Sequence, residues 1–237
     1  MEHPAQSPLP PRLIATGTTT WFIVAAWEPV SHKSDRLPGN IRQHDDTNMI
    51  ILASQSPRRA DLLSQIGIEF RTHAADIDER VRDDEGAADY VERMALSKAS
   101  AVRVSFPDIP VLGADTAVVL GQRILGKPAD RDDAIDMLLQ LSGRTHEVLT
   151  GVAVLADRPH YRLSLSRVMF RDISAREAAA YWATGEPADK AGGYAVQGLA
   201  AAFIERIEGS YSGIMGLPLF ETMQILHTIG VYSRAGV

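Results

Sequence analysis

The order of elements written into this sequence predicts an α/β protein, with a mixed β-sheet and flanking helices. Apolar runs of strand length alternate with stretches of helical period, the pattern of sheet-and-helix folds. Several of those runs are joined by turns too short for a crossover, so antiparallel neighbours must share the sheet with any parallel ones. The 237 residues are 45% hydrophobic and 23% charged, ordinary proportions for a soluble protein of enzyme size. A chain of this length buries roughly 70% of its unfolded surface and needs no covalent staples.

The patterning becomes regular at Met49. Met49 to Ala53 reads as a short buried strand. Ser56-Pro57 then supplies a helix cap followed by proline at the first helical position, with Leu62, Leu63 and Ile66 on one face and Gly67 as the stop. A longer helix is expected from about Asp84 to Val104, with Val91, Met94, Ala95 and Val102 along one side. Val111 to Leu120 reads as a strand, Gly121 to Arg123 as a turn and Ile124-Leu125 as a short return. Ala134, Met137, Leu138 and Leu141 give an amphipathic helix over Asp130 to Leu141. Two strands follow, about Glu147–Leu155 and Tyr161–Phe170. Ser174 and Glu177 form a capping box for a helix that ends at Gly185. Residues 186–198 read as a glycine-rich loop, 199–207 as another strand, and Pro218 as the opening of a final helix.

The first 48 residues differ, holding six of the thirteen prolines and two of the three tryptophans. Their apolar patch, Trp21 to Trp27, resembles a signal-peptide core. Only Arg12 flanks it on the amino side, threonines interrupt it, and no small-x-small cleavage site follows. The segment therefore reads as a poorly ordered extension, or as sequence ahead of a working start at Met49. Residues 49–237 read as one domain.

Composition removes several classes of function. With no cysteine there is no disulfide, thiolate nucleophile or cysteine-ligated metal. A net charge of −6 argues against a nucleic-acid coat or a polybasic membrane surface, though not against a local cationic cleft. No apolar run reaches the roughly 18 residues of a membrane span. The expected setting is cytoplasmic.

Five features hold candidate chemistry. Arg58 and Arg59 occupy the first turn of a helix, where the macrodipole disfavours cations unless something negative lies opposite; helix N–H groups and two guanidiniums make a candidate phosphate site. Asp115, beside Thr116 in an otherwise apolar strand, is costly to bury unless it is paired, metal-bound or facing a cleft. Lys98 falls on the apolar stripe of its helix, either snorkelling over the core edge or pointing into a site. The segment from Asp189 to Gly198 combines charge and glycines with Tyr194, which can stack on a base, and Gln197, whose amide both donates and accepts. Gly121-x4-Gly126-Lys127 imitates a P-loop, but Pro128 stands where Ser or Thr must hold magnesium; Lys127 remains a candidate phosphate contact. Gly209 to Gly213 does not fit a nucleophile elbow, and the scattered histidines, among them His146 and His160, read as surface or satisfied residues.

Ala53-Ser54-Gln55-Ser56-Pro57-Arg58-Arg59, Gly113-Ala114-Asp115-Thr116, Gly126-Lys127-Pro128, Leu141-Ser142-Gly143, Gly185-Glu186-Pro187-Ala188-Asp189-Lys190-Ala191-Gly192 and Gly216-Leu217-Pro218 occur in that order. Together they resemble the Maf family of nucleoside triphosphate pyrophosphatases, from Met49 to the C-terminus. The resemblance implies two lobes around a cleft, an architecture similar to inosine triphosphatase, and a homodimer. It also implies hydrolysis between the α- and β-phosphates. On it, Asp115 is the proton acceptor that activates water, and Arg58, Thr116 and Gln197 govern selectivity. Arg59, Glu79, Lys98 and Lys127 are further cleft residues, with Glu79 a partner of Asp115 at a divalent metal, Mg2+ or Mn2+. Asp115-Thr116 with Gln197 resembles the branch acting on dTTP and UTP. Gly193 and Ala195 stand where that family usually has Ala and Gly. Alternative readings are the same chemistry on modified or other nucleotides, a nucleotide-binding regulator of septum formation, and an extension that tethers the chain to a membrane or partner.

Overall fold

A computed structural model describes residues 48–232. The expectations for the amino-terminal extension, apart from Asn48, lie outside the described residues.

Seven strands form one mixed sheet. β1 (Met49–Leu52) runs parallel to β2 (Glu69–Thr72) on one side and to β3 (Val111–Leu120) on the other. β4 (Arg123–Leu125), β5 (Thr145–Leu155), β6 (Pro159–Phe170) and β7 (Ile204–Glu208) are all antiparallel to their neighbours. The order is β2-β1-β3-β5-β6-β7, with β4 paired to β3. β2 escapes sequence reading because Glu-Phe-Arg-Thr offers only one apolar residue and no repeat from which to read a period.

β3 is the strand on which the sheet divides. Against β5 it pairs continuously, from Val111↔Leu155 to Val119↔Glu147. On its other edge it pairs with β1 only at Val111 and Leu112 and with β4 only from Val118 onward. Residues 113–117 therefore have no strand beside them on that edge, and a cleft opens there.

Helices cover both faces. α2 (Ala87–Arg103) lies across β3 and β5 on one face, where Val91, Ala117, Val119 and Leu149 pack together, as do Ala99, Val102, Ile51 and Val111. On the opposite face are two separate cores. One joins β1 and Leu112 to α1 (Pro57–Gln65) and α6 (Leu219–Thr228), through Leu62, Leu63, Ile225 and Leu226. The other joins Val118, Val148 and Phe170 to α3 (Arg131–Leu141) and α4 (Ala175–Trp182). Two cores on one sheet face, flanking the gap in the β3 edge, make the two lobes.

Local signals explain most boundaries. Asp130 caps α3 by accepting from the N–H groups of Asp132 and Asp133, and Ser174 and Glu177 form the expected reciprocal cap on α4. The strand expected over 199–207 is corrected: Leu199–Phe203 is a 3-10 turn and β7 begins only at Ile204. The Glu186 carboxylate captures the Leu199 N–H at 3.0 Å, which winds that segment instead of extending it. A short helix, α5 (Tyr211–Met215), capped by Ser210, was not expected. At the chain's two described ends, Asn48 donates to the Tyr232 carbonyl and accepts its N–H, both at 2.7 Å.

The approach of α2 to the sheet depends on two glycines. A Cβ at Gly113 would collide with the Ala95 carbonyl and lie 2.8 Å from the Ala99 nitrogen, and one at Gly151 would lie 2.7 Å from the Val91 carbonyl oxygen. These obstacles are main chain, so no side-chain rotation relieves them. Gly113→Ala is expected to cost about 1–3 kcal/mol in urea denaturation, the usual range for overpacking a core. Wild-type stability in that variant would refute the account of how α2 is seated.

Candidate active site

The gap in the β3 edge opens into a cleft of about 650 Å³. Five cationic side chains, Arg58, Arg59, Lys98, Lys127 and Lys190, line it against three carboxylates, Glu79, Asp115 and Asp189. A chain of net charge −6 thus concentrates positive charge at one place. Every candidate residue from the sequence, including Thr116 and Gln197, borders this cleft.

Asp115 lies at its centre, only 7% exposed, on the β3 face that meets α2. Lys98, also 7% exposed, reaches across from α2, its Nζ 2.6 Å from Asp115 Oδ1 and 2.8 Å from Glu79 Oε1. Of the two sequence readings of Lys98, the one in which the ammonium enters a site holds. Glu79 comes from the segment between β2 and α2, and that segment is pinned. Tyr90 donates to the Glu79 carbonyl, and Arg93 bonds both the Arg80 carbonyl and the Glu85 carboxylate. Desolvation is the largest influence on the Glu79 carboxyl and pushes its pKa up. The hydrogen bond from Lys98 and the charges of Lys98, Lys127 and Arg59 together outweigh it, so the carboxyl lies below its ordinary value.

The two arginines differ. Arg59 donates from Nε to the Gly216 carbonyl at 2.7 Å and from one terminal nitrogen to Ser54 Oγ at 3.2 Å. Burial pulls its guanidinium below the ordinary value, against the opposing pull of Asp115 and Glu79. Its position in the first turn is thus compensated by fixed oxygens, and it ties α1 to the end of α5. Among the described residues Arg58 pairs only with Asp189, at 4.0 Å, and its side chain is 28% exposed. Lys127 is exposed on the turn after β4.

Thr116 points from the opposite face of β3 to Asp115. Its hydroxyl lies 2.9 Å from that of Thr150 on β5, and the Thr150 hydroxyl donates to the Gly213 carbonyl at 2.8 Å. Gln197 is exposed at the cleft rim on a loop held from both sides. Tyr181 accepts the Ala195 N–H at 3.1 Å and donates to Glu186 at 2.6 Å, and Glu186 in turn takes the Leu199 N–H. A Cβ at Gly198 would collide with the Glu186 carboxylate, so this grip requires glycine there. Sequence reading missed Tyr181, Glu186 and Thr150. Glu186 stood in a quoted motif, but the other two carry no local signal.

Tyr194 is not free to stack on a base. Its ring is 5% exposed and meets His146 and Phe170 edge-on, and its hydroxyl lies 2.8 Å from His146 Nε2. It anchors the loop from beneath, and His146 is a buried core residue.

Asp115 and Glu79 offer hard oxygen donors that already share one cation, so a divalent ion such as Mg2+ or Mn2+ suits them chemically. Among the described residues no three acidic or histidine side chains gather at one point, so the remaining ligands would be phosphate oxygens and water.

Residues 49–229 match the family described as Maf-like protein. The chain belongs to that family. Maf-family relatives named dTTP/UTP pyrophosphatase include one from Hahella chejuensis, 56% identical over 77% of this chain and 92% of its own length. Others come from Alkalilimnicola ehrlichii, 52% identical over 75% and 91%, and Xanthomonas axonopodis pv. citri, 50% identical over 78% and 100%. Among solved structures, a dITP/XTP pyrophosphatase from Mycobacterium abscessus aligns over 53% of this chain and 75% of its own, with TM-score 0.36 and 15% identity.

Burial holds His146 neutral in the Maf fold, with its pKa pulled down from 6.5 to about 4. The unfolded chain binds this proton below pH 6.5 and the folded one does not. The contribution is therefore complete above that value and lost as pH falls towards 4. Between pH 7 and pH 5 the wild type is expected to lose about 2 kcal/mol more than His146→Gln in urea denaturation. Equal losses would refute the assignment.

Proposed function

We propose that this chain hydrolyses dTTP and UTP to the nucleoside monophosphate and pyrophosphate. The single observation that carries the reading is the buried carboxylate of Asp115, at the split of the sheet within a cation-lined cleft. Relatives at about half identity over most of the chain, named for that activity, support the choice of substrate.

A nucleoside triphosphate carries about four negative charges near neutral pH, and breaking a phosphoanhydride demands positioning and charge neutralisation more than covalent chemistry. Arg58 and Lys127 lie free enough to meet phosphate oxygens, Lys190 is paired with Asp189, and Arg59 holds the wall behind them. Asp115 orients a water and takes its proton as the water's oxygen bonds to phosphorus. The α–β bridge then breaks, and pyrophosphate leaves with the electron pair of that bond. Lys98 gives up its place between Asp115 and Glu79 and turns to the phosphates. Asp115 and Glu79 are the residues that would hold a divalent cation, which would supply further charge neutralisation and lower the pKa of water there. Thr116 and Gln197 read the base. A cytoplasmic setting and a homodimer belong to the same reading, the latter open to light scattering.

The test is pyrophosphate release from dTTP, UTP, CTP, GTP, ATP and modified nucleotides, with Mg2+ or Mn2+. Asp115→Asn is expected to lower turnover by roughly 10²–10⁴-fold. Near-normal turnover would remove Asp115 from the mechanism. Tight binding without turnover in the wild type would make the protein a nucleotide-binding regulator.

A further inference from the structure

A hydroxyl has one hydrogen to give. Thr150 gives its hydrogen to the Gly213 carbonyl, which can only accept. The 2.9 Å contact between the two threonines must then be Thr116 donating to Thr150. Thr150 is wholly buried, so no solvent competes for this arrangement. Thr116 is half-buried and lines the cleft. With its hydrogen committed, it presents only lone pairs to whatever occupies the space.

We infer that the chain Thr116→Thr150→Gly213 makes Thr116 a fixed hydrogen-bond acceptor, and that Thr150 is the positioning residue through which the site selects a base carrying a ring N–H. Phosphate oxygens are acceptors and are repelled by such a group. Thr116 also leaves β3 on the face away from Asp115, so it does not face the carboxylate pair, and it stands near the Gly216 turn that Arg59 holds. What it accepts from is a donor on the base. Uracil and thymine carry N–H at ring position 3, flanked by two carbonyls. Cytosine carries a lone pair at that position. An acceptor locked opposite it pairs with the first two bases and leaves two lone pairs facing each other with the third, an uncompensated polar contact that discriminates strongly. Gln197, at the rim, has an amide N–H suited to one of the flanking carbonyls.

This inference rests on the pyrimidine triphosphate reading above, so the experiment separates the two. Steady-state kinetics with dTTP and dCTP, which share a sugar, are measured for the wild type, Thr150→Val, Thr150→Ser and Thr116→Val. Thr150→Val keeps the shape, removes the acceptor for the Thr116 hydrogen and frees that hydroxyl to turn and donate. The kcat/KM ratio of dTTP to dCTP is expected to fall about tenfold, mainly through KM and partly through a gain on dCTP. Thr150→Ser restores the hydroxyl and is expected to restore the ratio. A loss of activity that is equal for both nucleotides would overturn the inference, because a merely structural role moves both alike. An unchanged ratio in Thr150→Val would overturn it too. A Thr116→Val variant that retains the preference for dTTP would overturn this inference and leave the pyrimidine triphosphate reading standing, whereas a wild type without that preference would overturn both.

Discussion

Helix α2 approaches β3 so closely that main chain meets main chain, and Lys98 is thereby pressed onto Asp115. The two glycines that permit this, Gly113 and Gly151, neighbour the carboxylate, one on its own strand and one directly across the ladder. An ion pair this deep has lost most of its hydration, and its mutual attraction must offset that loss. The second carboxylate, Glu79, lends the ammonium another partner while remaining partly in water. The result is a centre that is charge-compensated when nothing is bound. A ligand rich in negative charge can draw Lys98 away, and its own counter-charge can then meet the carboxylates. Helix packing, more than any loop, fixes where the buried carboxylate and its ammonium partner sit.

Around that centre the arginines and lysines divide labour by how they are held. Arg59 spends its donors on the Gly216 carbonyl and Ser54, so its charge is part of the wall. Arg58 and Lys127 are looser, and Lys190 is paired with Asp189. Fixed cations raise the local potential without having to be ordered on binding, whereas mobile ones adapt to an anionic ligand at some entropic cost. The net acidity of the chain keeps such a field confined to the cleft.

Much of this was legible in the sequence because burial leaves a periodic trace. The strand carrying Asp115 and the helix carrying Lys98 stood out since each set a charged residue in an apolar stripe, which is a costly thing to do without a partner. The capping residues of α3 and α4 likewise state their boundaries. β2 stayed hidden because a four-residue edge strand has no period to read. Residues 199–207 looked extended because their apolar side chains satisfy a strand pattern, while the carboxylate that winds them sits thirteen residues earlier. Thr150 was invisible for a similar reason: a threonine in a strand is unremarkable until the hydroxyls across the ladder are seen. Tyr194 misled in the other direction, since an aromatic in a glycine-rich loop suggests a stacking surface, and only the contacts with His146 and Phe170 reveal a core residue.

The clasp between Asn48 and Tyr232 has a consequence for how the chain is assembled. The lobe that carries Arg58 and Arg59 is built from the first described strand and the last helix, because Leu62 and Leu63 pack against Leu217, Ile225 and Leu226. The other lobe is drawn almost wholly from the middle of the sequence. On the ribosome, the middle lobe can close while the first helix still lacks its cover. The wall of the cleft that carries Arg58 and Arg59 is therefore finished only when the final turns of α6 emerge, and a chain released early keeps its charged centre but leaves the apolar side of α1 bare.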